Sequence, residues 1–256
     1  MDLPLLLVAF GASLGAGLAT GVGALPVLAV RRLTDRSAGA LMGLSAGVML
    51  AAAFFGLLLP ALEAFAPVGA GWGAARAVAG VLAGAGLIEV LHRVMPHEHF
   101  DKGREGPSSH LARVWLFIVA ITLHNVPEGL AVGVGVGTGE RAVGLPVTLG
   151  IALQNMPEGL VVAVSLVRAG QSRLKGLAIA TLTGLVEPLV SLFGFAAVQL
   201  ATALLPYGLA FAAGAMLYVI SHEIIPESHE PKRSEAATWG VMVGFCGMMA
   251  LDLLLA

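Results

Sequence analysis

Charge is scarce in this chain. Of its 256 residues only 12% are Asp, Glu, Lys or Arg, where a soluble domain carries about a quarter. Cysteine is almost missing: the single Cys246 excludes an internal disulfide and any Cys-based zinc site. No stretch interleaves basic and aromatic residues, and a net charge of −2 adds no pull toward phosphates, so nucleic acid is not an expected partner. The start of the chain does not read as a signal peptide. Asp2 is its only early charge, and the apolar run that follows far exceeds an h-region of about 7–15 residues, so a retained helix is expected.

What fills the chain instead is apolar. Hydrophobic residues make up 57%, mean hydropathy is +0.90, and 34 glycines suit helices that pack closely without a hydrophobic drive between them. Eight apolar segments, at about 3–30, 39–66, 72–92, 114–138, 143–168, 176–201, 205–225 and 236–256, are each long enough to cross ~30 Å of hydrocarbon as a helix. The fold class expected is therefore an all-α polytopic membrane protein with eight transmembrane helices. In the first segment Gly11, Gly15, Gly17 and Gly21 form a small-residue stripe. Residues 93–113 are the one substantial polar loop, with His97, His99 and His110, and it reads as mobile and water-exposed. Arg and Lys cluster after segments one, three, five and seven, while Arg76 and Arg141 alone face the other way. By the positive-inside rule the 93–113 loop is cytoplasmic and both termini are outside.

Two phrases thirty residues apart stand out: Leu123-His124-Asn125-Val126-Pro127-Glu128-Gly129-Leu130 and Leu153-Gln154-Asn155-Met156-Pro157-Glu158-Gly159-Leu160. An ionisable side chain at membrane depth costs roughly 3 kcal/mol on insertion scales, so it marks function. His124 and Glu128 lie four apart on one helix face, Asn125 and Glu128 three apart on the next strip, and Gln154, Asn155 and Glu158 repeat the arrangement. Pro127 and Pro157 should kink their helices and free the carbonyls four residues back. Segments four and five form an antiparallel pair, so their phrases meet near mid-membrane. Such oxygen and imidazole donors suit Zn²⁺, Mn²⁺ or Fe²⁺ rather than a thiolate-loving ion. A lone buried His or a lone proline kink is most often packing; a duplicated N-x-P-E-G phrase is not. Glu187-Pro188 in segment six adds a third buried carboxylate that could complete the site.

These phrases resemble the fourth and fifth helices of the ZIP family of divalent-metal transporters, bacterial branch, and the likeness extends along the chain to the His222-Glu223-x-x-Pro226-Glu227 end of segment seven. The resemblance implies residues 1–256 as one transporter domain in a 3+2+3 arrangement. Three-helix repeats would be inverted about the central pair, with helices one, four, five and six moving past two, three, seven and eight. It implies a mid-membrane site for Zn²⁺, with Cd²⁺, Fe²⁺ and Mn²⁺ as further substrates, entering from outside a bacterial plasma membrane, with no catalytic cofactor and with a homodimeric assembly. His124, Glu128, Gln154 and Glu158 would hold the first metal, with Met49 nearby. Asn125, Asn155 and Glu187 would hold a second, sharing Glu128 and Glu158. His222, Glu223, His97, His99 and Glu89 would be exit-side contacts. Some relatives carry Asp in place of Asn155, which removes a charge from the second position here.

Two other classes compete. An intramembrane metalloprotease would need H-E-x-x-H, and His222-Glu223-Ile224-Ile225 continues with Pro226. A divalent-cation channel uses the same buried carboxylates as a carrier.

Overall fold

The computed structural model describes residues 2–30, 32–99, 103–105, 113–200, 202–229 and 233–255. Eight helices among them are long and apolar enough to cross a membrane: span one Leu3–Leu28, two Asp35–Val68, three Ala70–Val94, four Ile118–Gly137, five Arg141–Arg168, six Arg173–Leu200, seven Leu205–Ser228 and eight Ser234–Leu255. Local capping sets several of the boundaries. The side chains of Asp2, Thr34 and Ser172 accept the N–H groups of Leu5 (3.2 Å), Ser37 (3.1 Å) and Lys175 (3.3 Å), satisfying donors that open each helix. Spans two and six therefore begin a few residues before their hydropathy does. Spans four and five turn on Gly139, whose φ of +78° is available to glycine at little cost.

Proline stands inside some of these helices and at breaks in others. Pro127 in Arg113–Gly137 and Pro157 in Arg141–Arg168 lie within continuous helices, where neither ring nitrogen can donate to the carbonyl four residues back. Span six instead breaks at Leu185, between Arg173–Gly184 and Val186–Leu200. Pro188 thus falls in the first turn of a new helix, where its missing N–H had no partner to lose. Spans two and seven each widen into a π-helical stretch, Ala52–Leu58 and Ile220–Ile224, just ahead of Pro60 and Pro226. The wider turn accommodates the carbonyl that each proline ring would otherwise strike.

Span one packs on five and six, four on six and five, two on eight and five, and seven on three and four. Glycine permits the closest of these approaches. A Cβ on Gly17 would strike the Gly184 carbonyl, and a Cβ on Gly184 the Gly17 carbonyl. Gly129 lies against the backbone of Glu187, and Gly159 against that of Thr20. Gly47 lies against Val241, and Gly214 against Val81. Only half of the span-one stripe works this way: Gly11 and Gly15 meet open space.

The loop after span three departs from its expected exposure. His97–His99 (β1) and Gly103–Glu105 (β2) pair as a short antiparallel hairpin that packs on the span-four helix. His97 is 1% exposed and its Nδ1 sits 2.8 Å from the Met95 carbonyl. A fully solvated loop is thus corrected at this residue: a two-strand turn folds back and tucks one imidazole under the bundle. His110 lies outside the described residues.

Candidate metal centre

Spans four, five and six bring their polar groups together in the middle of the bundle. His124, Asn125, Glu128, Gln154, Asn155 and Glu187 are all buried, and Glu158 is half-buried. One ligand atom each from His124, Glu128 and Glu158 fall within 4.8 Å of one another, close enough to share one ion. His124 Nε2 is 3.6 Å from Glu158 Oε2 and 3.9 Å from Glu128 Oε1. The one-turn spacing inside each phrase produces this, since it stacks the side chains on the strip that spans four and five turn toward each other.

Hydrogen bonds fix the rest. The Gln154 amide donates to Glu128 Oε1 (2.5 Å) and to Asn155 Oδ1 (2.7 Å). Asn155 Nδ2 donates to Glu187 Oε1 (2.7 Å) and to the Ala16 carbonyl (2.9 Å), tying in spans six and one. Asn155 is engaged at both ends of its amide. Ser45 of span two donates to the Gln154 carbonyl at 2.8 Å. Met49, four residues on and fully buried, lies on the same strip of that helix.

What remains unpaired is more telling. His124 Nε2, Glu128 Oε2, Gln154 Oε1, Glu158 Oε2 and Glu187 Oε2 are all buried atoms without a hydrogen-bond partner among the described residues. A buried acceptor left alone costs about 1–3 kcal/mol, and native interiors hold few. Five such atoms in one bundle centre, three of them carboxylate oxygens, are a set of donors that suits a cation. Imidazole, carboxylate and amide oxygen are the donors that divalent first-row metals accept.

Glu223 lies closer to this centre than its place at the end of span seven implies. It is 5% exposed; its Oε2 is 3.4 Å from His124 Nδ1, and its Oε1 is 2.9 Å from His92 Nε2. A carboxylate behind the far nitrogen of a metal-binding imidazole sets ring orientation and leaves Nε2 free for the ion. His92 had no signal in the sequence, where it reads only as the end of span three. Its imidazole meets those of His97 (4.7 Å) and His222 (5.5 Å) edge to face. Half-buried Glu89 accepts from Tyr218 and Arg93. The structure thus gathers His97, His222 and Glu89 around His92 on the loop side. The His99 side chain lies outside the described residues.

A family model described as ZIP Zinc transporter matches residues 93–252. Zinc transporter GufA of Myxococcus xanthus is 49% identical over 248 residues, covering 94% of this chain and 96% of that protein. Zinc transporter ZIPB of Bordetella bronchiseptica is 44% identical over 91% of this chain and 77% of its own length. Zinc transporter ZupT of Corynebacterium glutamicum is 36% identical over 98% of this chain and 99% of its own. With a family model over most of its length, these relatives at 36–49% identity over 91–98% of the chain and a buried His/Glu centre to match, the chain belongs to the ZIP zinc transporter family.

Proposed function

We propose that this protein carries divalent metal ions, Zn²⁺ foremost and Cd²⁺, Fe²⁺ and Mn²⁺ as further substrates, into the cytoplasm through the centre between spans four, five and six. The observation that carries the reading is the convergence of unpartnered acceptors on His124, Glu128, Gln154, Glu158 and Glu187. The relatives named zinc transporters support the same cargo. The metal is substrate here, and the reading includes no catalytic cofactor and no reaction. In it, His124, Glu128, Gln154 and Glu158 hold the first ion, with Met49 beside them. Asn125, Asn155 and Glu187 add a second, weaker position. His222, His97, His99 and Glu89 receive the ion on the loop side, and Glu223 links the two regions through His92.

Carrier rather than channel is favoured by the matched contacts. Exchanging spans one with six, two with seven, three with eight and four with five matches three of the close glycine approaches: Gly17–Gly184 turns into itself, Gly129–Glu187 into Gly159–Thr20, and Gly47–Val241 into Gly214–Val81. Such a correspondence supports two inverted three-span repeats around a central pair, the architecture in which one body rocks about a fixed midplane site. The reading takes residues 1–256 as one unit in a bacterial plasma membrane, both termini outside, and paired as a homodimer on family likeness.

The test is metal uptake into proteoliposomes loaded with a fluorescent chelator, run with Zn²⁺, Cd²⁺, Mn²⁺ and Fe²⁺. Glu128→Ala and Glu158→Ala should each abolish uptake while preserving the folded yield. Near wild-type transport by either variant at equal incorporation would sink the assignment.

A further inference from the structure

Hydroxyl groups inside membrane helices usually satisfy themselves by donating to a carbonyl one turn back. Thr122, Thr148, Thr181 and Ser191 do so, on the carbonyls of Ile118, Gly144, Leu177 and Pro188. Ser13 and Thr20 do not: both are buried, and neither hydroxyl oxygen has a hydrogen-bond partner among the described residues. Thr20 is the one whose place in the bundle is fixed by a counterpart.

That counterpart is Glu187. A Cβ on Gly17 would lie 3.6 Å from Glu187 Oε1, and a Cβ on Gly184 would lie 2.8 Å from Thr20 Oγ1. Gly129 meets the Glu187 backbone as Gly159 meets that of Thr20. In the exchange of spans one and six, therefore, the Thr20 hydroxyl stands where the Glu187 carboxylate stands. Glu187 Oε1 accepts from Asn155 Nδ2 at 2.7 Å. The same exchange turns Asn155 into Asn125, whose Nδ2 is buried and without a hydrogen-bond partner among the described residues. Spans one and four are in contact. One half of the centre thus has a long carboxylate side chain bonded to its asparagine; the other has a short neutral one, and Thr20 Oγ1 and Asn125 Nδ2 are both without a hydrogen bond among the described residues.

We propose that Thr20 and Asn125 form a neutral subsite that holds one water on the transported cation, opposite the charged Glu187–Asn155 half. Neither side chain carries charge, and the two unfilled atoms, an amide nitrogen and a hydroxyl, suit a water on the ion better than the ion itself. A metal-bound water fits both: one lone pair goes to the metal, the other accepts the Asn125 N–H, and a proton is donated to Thr20 Oγ1. The inference rests on the metal-transport reading and adds a determinant of selectivity to it. Ions that seek six oxygen ligands, such as Mn²⁺, gain from a retained water. Zn²⁺, satisfied by four donors, gains little.

The experiment is equilibrium binding of Mn²⁺ and of Zn²⁺ to the purified full chain in detergent. It compares wild type, Thr20→Val, Thr20→Ala, Thr20→Ser and, as a control on the centre itself, Glu128→Ala. Thr20→Val should weaken Mn²⁺ about fivefold, the worth of one net hydrogen bond, and change Zn²⁺ by less than about twofold on the same scale. Thr20→Ser, which keeps the hydroxyl, should bind both metals as wild type does. If Thr20→Val does not fold, Thr20→Ala provides the same comparison. An unchanged Mn²⁺-to-Zn²⁺ ratio in a folded hydroxyl-free variant, whether both affinities hold or both fall together, would overturn the proposal. Wild-type metal binding by Glu128→Ala, or none by the wild type, would overturn the parent reading and this one with it.

Discussion

Asn155 bonds three polar groups, and its chemistry is set by having two donors and one acceptor. It gives protons to Glu187 and to the Ala16 carbonyl and takes one from Gln154. An aspartate there would lose both donations and place a second carboxylate beside Glu187. Without metal, like charges in a buried site repel and the Ala16 carbonyl loses its partner, so Asn155→Asp should destabilise the metal-free protein by about 2–4 kcal/mol. With metal the sign reverses, because each added negative charge a few ångströms from a divalent ion is worth on the order of a kcal/mol or more. Melting curves in chelator and in saturating Zn²⁺ should therefore show a lower metal-free midpoint and a larger metal-induced rise than wild type. An unchanged metal-induced rise would show that Asn155 lies outside the ion's field. At this scale the duplicated phrases were readable because polar residues are so rare at membrane depth. Glu223 was readable as an exit-side contact but not as the partner of His124, and His92 was not readable at all, since adjacent residues such as His222 and Glu223 point to different strips and sequence does not say which strip faces inward.

Helix interruption, one level up, decides where the third carboxylate, Glu187, sits. The break at Leu185 starts a new helix whose first turn carries Glu187. The glycine contact between Gly17 and Gly184 draws span one against that break. Gly17→Ala should therefore cost about 1–3 kcal/mol, as overpacking of a tight interface does, and reduce metal binding through displaced Glu187. Gly11→Ala, on the same helix but facing open space, should be neutral or stabilising by up to about 1 kcal/mol, the propensity gain of alanine over glycine. Thermal unfolding of the two variants side by side checks the contrast; equal midpoints would refute the packing account. The four-residue glycine rhythm was visible in the sequence, but its working half was not. Lipid tails are as apolar as a neighbouring helix, so composition does not tell a packed face from an exposed one. The same limit hid the hairpin that buries His97, because a short polar loop carries no periodicity to read.

Orientation belongs to the whole molecule. The span map and the Arg/Lys distribution, both legible without a structure, agree in setting the loops after spans one, three, five and seven on one side. A contact that neither contains agrees with them: Arg173, at the start of span six, donates to the Leu28 carbonyl at the end of span one, so those two ends share a side. On the proposed reading of two repeats, three spans end on the side opposite to where they began and two more leave that side unchanged, so a second repeat starting at span six would enter the membrane inverted, in keeping with the matched glycine contacts. The orientation is open to labelling. In a Cys246→Ser background, Glu140→Cys in the turn between spans four and five and Ala169→Cys at the end of span five place one thiol at each face, both at exposed positions. A membrane-impermeant maleimide applied to intact cells should modify Cys at 140 and spare 169 until the membrane is opened. Labelling of 169 and protection of 140 would reverse the orientation and, with it, the side from which an ion first meets Glu128 and Glu158.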